Sequence, residues 1–306
     1  MNNLLKNIRA RVSGYPSYLL REDIKSIFSQ RNTTSLGFFW YFFGVKKLNI
    51  IIHNRYYDKE KACYDIEGVR IPEIVRTTSG PMFNSYLFNM LETYFGYFQN
   101  HSSRTARSIY GEGPYECGNV WLESGDVVID AGANMGVFSA LASKKCCSDN
   151  EEGAVYAFEP VPQNIDILKI TADLNNAITI VPEGLSDSIG TIDIYLQQSS
   201  GEHTILSDLS KNADSEKIEI QTTTLDRFAH ERNLKKIDFI KADIEGAERL
   251  MLMGAKNVLR DYSPKLALCT YHLPDDPQVM QEIILDANPN YIIEQAEMKM
   301  FAYVPK

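Results

Sequence analysis

One stretch limits the folds open to this chain: Asp126-Val-Val-Ile-Asp-Ala-Gly-Ala-Asn-Met-Gly136. Val127, Val128 and Ile129 form a short apolar run that ends at Asp130, as an inner strand of a parallel sheet does. The run breaks at Gly132 and Gly136, then resumes as Val137, Phe138, Ala140, Leu141 and Ala142 with helical spacing. The unit reads strand, glycine turn, helix. In an open α/β sheet such a turn lies at the carboxyl edge of the strands, where ligands bind. Small residues let a ligand approach the backbone, and the helix start presents N–H groups.

A dinucleotide site takes G-x-G-x-x-G. Gly132 and Gly136, with Asn134 between them, do not supply it. S-adenosyl-L-methionine suits the turn better, because its tail carries a carboxylate and an ammonium in place of phosphates. Asp130 is the candidate for the ammonium, and the N–H groups of Gly132, Ala133, Asn134 and Gly136 for the carboxylate. A second short strand, Val155-Tyr-Ala-Phe158, ends at Glu159-Pro160. A carboxylate at that tip can accept both ribose hydroxyls, as in nucleotide folds.

These motifs, with Lys241-Ala-Asp-Ile-Glu-Gly-Ala-Glu248 and Pro114-Tyr115-Glu116 ahead of the first strand, resemble the FkbM family of S-adenosyl-L-methionine-dependent methyltransferases. The resemblance runs from about residue 110 to the C-terminus. It implies a seven-stranded doubly wound, Rossmann-like class I methyltransferase sheet with its last strand reversed. It also implies a hydroxyl acceptor on a small molecule or glycan, with a sugar of surface-polysaccharide biosynthesis preferred. Leu185 and Ser186 fall in the family segment beside the adenine. Tyr110 and Tyr115 fall where a segment folds over the cofactor.

The chain divides into a mainly helical N-terminal region, residues 1–105, and a methyltransferase domain, residues 106–306. Helical spacing marks residues 17–28 and 84–95, and residues 49–53 suit a strand. The N-terminal region is expected to face the acceptor or to form a homo-oligomer contact. Its aromatic run, residues 36–45, is ten residues long. A bilayer span needs about 20, so the run reads as a buried helix or partner surface, with an interfacial membrane contact, aromatics beside lysines, as the lesser alternative. The net charge of −9 argues against a nucleic-acid partner, whose phosphates call for a basic footprint. The 5 cysteines form no C-x-x-C pair, so neither disulfides nor zinc are expected, and a reducing, cytoplasmic setting fits.

Further along, residues 162–175 read as a helix and 177–181 as the third strand. Residues 191–196 and 217–221 alternate apolar and polar, as an inserted β pair does, with His203 in the loop between them. Thr224 is a candidate N-cap. The fourth strand, 237–242, ends at Asp243 and leads into a helix over 245–259. The fifth, 264–271, ends at His272. The carboxyl edge therefore gathers Asp243, Glu245 and His272 as candidate general bases for methyl transfer to a hydroxyl. Asp243 also suits a helix N-cap, and Glu245 a helix first turn. These residues with Asp275 and Asp276 are rich in oxygen ligands, yet no fixed spacing defines a Mg²⁺ site, and no metal is assigned. The alternatives are an NAD-linked oxidoreductase on a similar sheet and a non-catalytic cofactor-binding or interaction module.

Overall fold

The computed structural model describes residues 56–66, 68–75, 115–147, 152–196, 216–296 and 298–305. Asp58–Ser79 and Tyr115–Lys306 form one compact unit; Met1–Tyr57 and Gly80–Pro114 form a second. The main sheet and the site lie in the first. The elements expected at 17–28, 36–45, 49–53 and 84–95, and the residues Tyr110 and His203, lie outside the described residues.

In chain order, β1 (Tyr57–Asp58), β2 (Cys63–Ile66) and β3 (Val69–Pro72) form a small sheet. Next come β4 (Val127–Ala131), α1 (Val137–Cys146), β5 (Ala154–Phe158), α2 (Pro162–Leu174) and β6 (Ile178–Val181). Then follow β7 (Gly184–Leu185), β8 (Gly190–Leu196), β9 (Glu216–Thr223), α3 (Leu225–Glu231) and β10 (Phe239–Ala242). The rest is α4 (Glu248–Met253), α5 (Lys256–Asp261), β11 (Lys265–Cys269), α6 (Asp276–Ala287), β12 (Ile292–Gln295) and β13 (Lys299–Tyr303).

The main sheet runs β12-β13-β11-β10-β4-β5-β6. Its five strands β4, β5, β6, β10 and β11 are parallel, and β13 is antiparallel to both its neighbours. The reversed last strand is the one the sequence led us to expect. The inner strands are buried on both faces, which is why β4, β10 and β11 read as nearly continuous apolar runs. Ile129, Phe158, Ile240 and Leu268 of the sheet meet Phe228, Leu252, Leu259 and Met280 of the helices in one core.

The inserted pair is present. β8 and β9 are antiparallel, with Ile192 opposite Ile220 and Ile194 opposite Ile218. These isoleucines pack with Val161, while Asp193, Glu219 and Gln221 face solvent, so the alternation has one buried face. β7 adds a third strand parallel to β9, which the alternation did not predict.

Two boundaries depart from expectation. The helix expected over 245–259 is two helices, joined at Gly254. A Cβ there would overlap the Ser186 carbonyl oxygen, so the chain gives up a turn to pack backbone on backbone. The start also slips, because Glu245 and Gly246 take φ of +54° and +99°. Right-handed helix excludes such values. The N-cap position is therefore Ala247, and Asp243 caps nothing. Thr224, by contrast, caps α3 as expected, its hydroxyl accepting from Arg227 N.

Candidate active site

The glycine turn joins the ends of β4 and β5. The Gly132 and Ala133 N–H groups donate to the Phe158 carbonyl at 3.0 and 2.9 Å, and Gly136 N donates to the Ala133 carbonyl at 2.8 Å. Asn134 N donates to Glu159 Oε2 at 2.7 Å. These four amides, expected to face a ligand carboxylate, thus bond within the chain. What the turn offers instead is Asn134 Oδ1, a buried acceptor with no hydrogen-bond partner. Asn134 itself adopts φ +50°, a conformation tolerated by Asn better than by most residues. The following helix α1 starts without a side-chain cap.

Asp130 is fully buried. Its Oδ2 accepts from Ser139 Oγ at 2.6 Å, and its Oδ1 lies 3.1 Å from Lys241 Nζ. That ammonium also donates to the Gly132 and Ala131 carbonyls, at 2.7 and 3.2 Å. Asp130 and Lys241 face one another in register across β4 and β10. The negative charge is therefore met inside the protein by Lys241, a partner our sequence reading left without a role. The signal was present: a lysine inside the buried run Phe239-Ile-Lys-Ala242 requires a counter-charge. Burial opposes its charged form, but Asp130 and Asp243 outweigh burial and hold the Lys241 pKa above the ordinary lysine value.

Glu159 is also buried, 4% exposed. Its Oε1 accepts from Val161 N at 2.9 Å and Asn164 Nδ2 at 3.3 Å, while Oε2 accepts from Asn134 N. An ionised carboxylate has about four acceptor positions, so roughly one remains for a hydroxyl rather than two. Burial pushes the Glu159 carboxyl above the usual carboxylate range, against the pull of these donors and Lys241. Pro160 follows it, half-buried. Leu185 is in the core and Ser186 is buried beside it. Ser186 N donates to the Thr223 carbonyl, and Ser186 Oγ to Asp187 Oδ1 at 3.3 Å.

The acidic cluster sits next to this turn. A Cβ on Gly132 would overlap the Asp243 carbonyl oxygen, so the turn and the tip of β10 are in direct backbone contact. Asp243 Oδ2 accepts from Tyr115 Oη at 2.7 Å, and Oδ1 from Tyr271 Oη at 3.2 Å. The Tyr115 ring packs edge-on against Phe138, with Lys299 Nζ 4.3 Å from its centroid. Burial would raise the Asp243 carboxyl, but Lys241, Lys299, Tyr115 and His272 hold it below its ordinary value.

His272 Nε2 lies 3.3 Å from Glu245 Oε2 and 3.9 Å from Asp243 Oδ1. Its Nδ1 lies 3.2 Å from Glu248 Oε1. Neither nitrogen makes a hydrogen bond of good geometry. Burial would lower the imidazole pKa; the two glutamates outweigh it and push it up to about 10. Burial raises the Glu245 carboxyl, which His272 partly offsets. Glu248, which we had not singled out, closes the left-handed turn by accepting from Ile244 N at 2.8 Å and Gly246 N at 3.0 Å.

A doubly wound sheet in this order, with a glycine turn after its first core strand and acids at the tips of its neighbours, is a class I methyltransferase sheet. The family model of the methyltransferase FkbM domain matches residues 130–293, just over half of the chain. The chain belongs to that family. Methyltransferase sdnD of Sordaria araneosa is 28% identical over 178 residues, which is 48% of this chain and 66% of that protein. Hexuronic acid methyltransferase AglP of Haloferax volcanii is 29% identical over 171 residues, covering 54% and 64%. The chain thus spans just under two thirds of the length of these curated relatives. The FkbM methyltransferase crystal structure from Methylobacillus flagellatus KT shares 17% identity at a TM-score of 0.45, over 83% of this chain and 57% of that one.

Proposed function

We propose that this chain is an S-adenosyl-L-methionine-dependent O-methyltransferase acting on a hydroxyl of a sugar, glycan or other small molecule. The observation that carries the reading is the backbone contact of Gly132 with the Asp243 carbonyl. It sets the glycine turn and the Asp243–Glu245–His272 cluster side by side at one sheet edge.

The donor chemistry of the cofactor matches what the chain leaves unfilled. Glu159 has room for a ribose hydroxyl, and Asn134 Oδ1 for an ammonium or hydroxyl donor. Asp130 acts through Lys241, holding the turn in place. Pro160, Leu185 and Ser186 shape the wall beside Glu159, and Tyr115 closes the acceptor side through Asp243. S-adenosyl-L-methionine supplies a methyl carbon activated by a sulfonium. Held beside Glu159 and Asn134, it would donate that methyl to an acceptor oxygen, the carbon–sulfur electron pair leaving with sulfur. Alignment of this kind contributes roughly 7–11 kcal/mol.

The hydroxyl proton passes to Glu245. Both Asp243 oxygens already accept tyrosine hydroxyls and its carboxyl is held low, whereas burial raises the Glu245 carboxyl above its ordinary value. A positioned base contributes about 10² to 10⁴-fold. His272 begins protonated and holds Glu245 toward the acceptor. The relative named for hexuronic acid favours a sugar acceptor. No helix among the described residues is long and apolar enough to cross a membrane. With five cysteines outside any disulfide, we place the reaction in the cytoplasm.

Calorimetry with S-adenosylhomocysteine tests the cofactor site. Wild type binds, and Glu159→Ala loses binding; retained affinity overturns the assignment. Labelled-methyl transfer into hydroxylated acceptor pools tests the reaction. Binding without transfer into any pool favours the non-catalytic module, and binding of NAD in its place the oxidoreductase.

A further inference from the structure

We infer that the ring of Tyr271 is the platform on which the acceptor lies, and that the acceptor is a neutral pyranose, seated with one C–H face on that ring and its hydroxyls toward Asp243 and Glu245. This deepens the methyltransferase reading and rests on it for the methyl donor.

The placement of the ring comes first. Tyr271 lies two residues past the end of β11 and is 37% exposed. Its hydroxyl donates to Asp243 Oδ1 at 3.2 Å. One side packs on His272, with ring centroids 4.1 Å apart and the planes tilted by 43°. The ring is thus fixed at its polar tip and along one side, and the surface left open is the one turned away from His272. A solvated surface tyrosine has neither restraint. The other exposed aromatic ring among the described residues, Trp121, lies at the opposite end of β11, where Lys265 donates to its carbonyl. Tyr271 is therefore the open ring at the cluster where the methyl is transferred.

The chemistry beside the ring selects the ligand. A pyranose presents a face of weakly positive C–H groups and a rim of hydroxyls. The negative face of an aromatic ring attracts the first, and carboxylates accept from the second. The Asp243 and Glu245 side chains are 17% and 27% exposed, so both reach the surface at this edge. An ionised carboxylate accepts about four bonds, and Asp243 still has about two after its tyrosine hydroxyls. Charge then separates a neutral sugar from a uronate. Lys241 is held by Asp130 and two carbonyls, and Arg249 by Asp275 and Asp276. Lys299 is buried against the Tyr115 ring, and His272 stands between Glu245 and Glu248. Among the described residues, no cation at this edge is left to pair with a carboxylate on the acceptor, which would meet Asp243 and Glu245 as like charges.

The test is saturation-transfer NMR on the full chain with S-adenosylhomocysteine present. The probes are the methyl glycosides of glucose, galactose and mannose, with methyl glucuronide as the charged counterpart. At least one neutral glycoside is expected to bind, with the strongest transfer to the C–H protons of one ring face, and to bind more tightly than the glucuronide. Tyr271→Phe keeps the ring and holds the affinity within about twofold, whereas Tyr271→Leu keeps apolar bulk without an aromatic face and weakens it about tenfold. Thermal unfolding near wild type shows that both variants are folded. The inference is overturned if no neutral glycoside binds, if the glucuronide binds more tightly, or if Tyr271→Leu binds as wild type does. Methyl transfer to other hydroxyls with no glycoside bound would overturn this inference alone. Failure of S-adenosylhomocysteine to bind wild type would instead sink the cofactor reading and leave the glycoside result standing.

Discussion

Lys241 Nζ lies 3.1 Å from Asp130 Oδ1 and donates to the Gly132 carbonyl at 2.7 Å, both groups being buried. One ammonium thus neutralises the first acid of the sheet and pins the glycine turn. Lys241→Met leaves a buried carboxylate without its counter-charge, which costs about 3–5 kcal/mol. The double variant Asp130→Asn/Lys241→Met recovers much of that loss. Urea unfolding of the four proteins in the cycle measures the coupling; additive losses would show that the pair is not coupled.

Glu159→Gln is nearly isosteric and still disruptive. Whichever way the amide points, its NH₂ group faces a donor, either Val161 N with Asn164 Nδ2 or Asn134 N. An unmade bond of this kind costs about 1–3 kcal/mol, and S-adenosylhomocysteine affinity falls as well. The pH response has a definite sign. A ribose hydroxyl donates to the ionised carboxylate, so affinity is complete above the raised Glu159 pKa and declines as pH falls through it. The decline therefore begins above the usual carboxylate range, and calorimetry across pH shows it in wild type and not in Glu159→Gln.

Tyr115→Phe keeps the ring against Phe138 and Lys299 but removes the bond to Asp243 Oδ2. Hydrogen bonds to charged groups contribute about 1.5–3 kcal/mol. We expect turnover to fall roughly tenfold or more with S-adenosylhomocysteine affinity little changed. Equal losses in both would assign Tyr115 to the cofactor rather than to the acceptor side.

Gly132→Ala meets two obstacles at once. Its φ of +74° costs a side chain about 1–2 kcal/mol, and its Cβ would overlap the Asp243 carbonyl. The variant is expected to lose both stability and cofactor binding, since the turn and the tip of β10 must separate. Thermal unfolding with and without S-adenosylhomocysteine reads both losses.

The fold was legible wherever pattern and position agreed. Val127–Ile129 and Phe239–Ala242 read as inner strands because both their faces are buried, and β8 and β9 alternate because one face is. Long-range contacts were not legible. Nothing local to Gly254 shows that Ser186 packs on it, so the break between α4 and α5 was missed. The gathering of Asp243, Glu245 and His272 followed from strand order alone. Their partners did not: Tyr271, Lys299 and Glu248 reach the cluster through a loop, the reversed strand and a left-handed turn whose geometry local spacing does not encode. Lys241 was readable in principle, as a charge in a buried run.

The most direct measurement is a structure of the full chain with S-adenosylhomocysteine bound. The account predicts a ribose hydroxyl on Glu159 Oε2 and the sulfur facing Asp243, Glu245 and His272 across the Gly132 turn. A ligand seated elsewhere, or a sulfur turned away from that cluster, would contradict it.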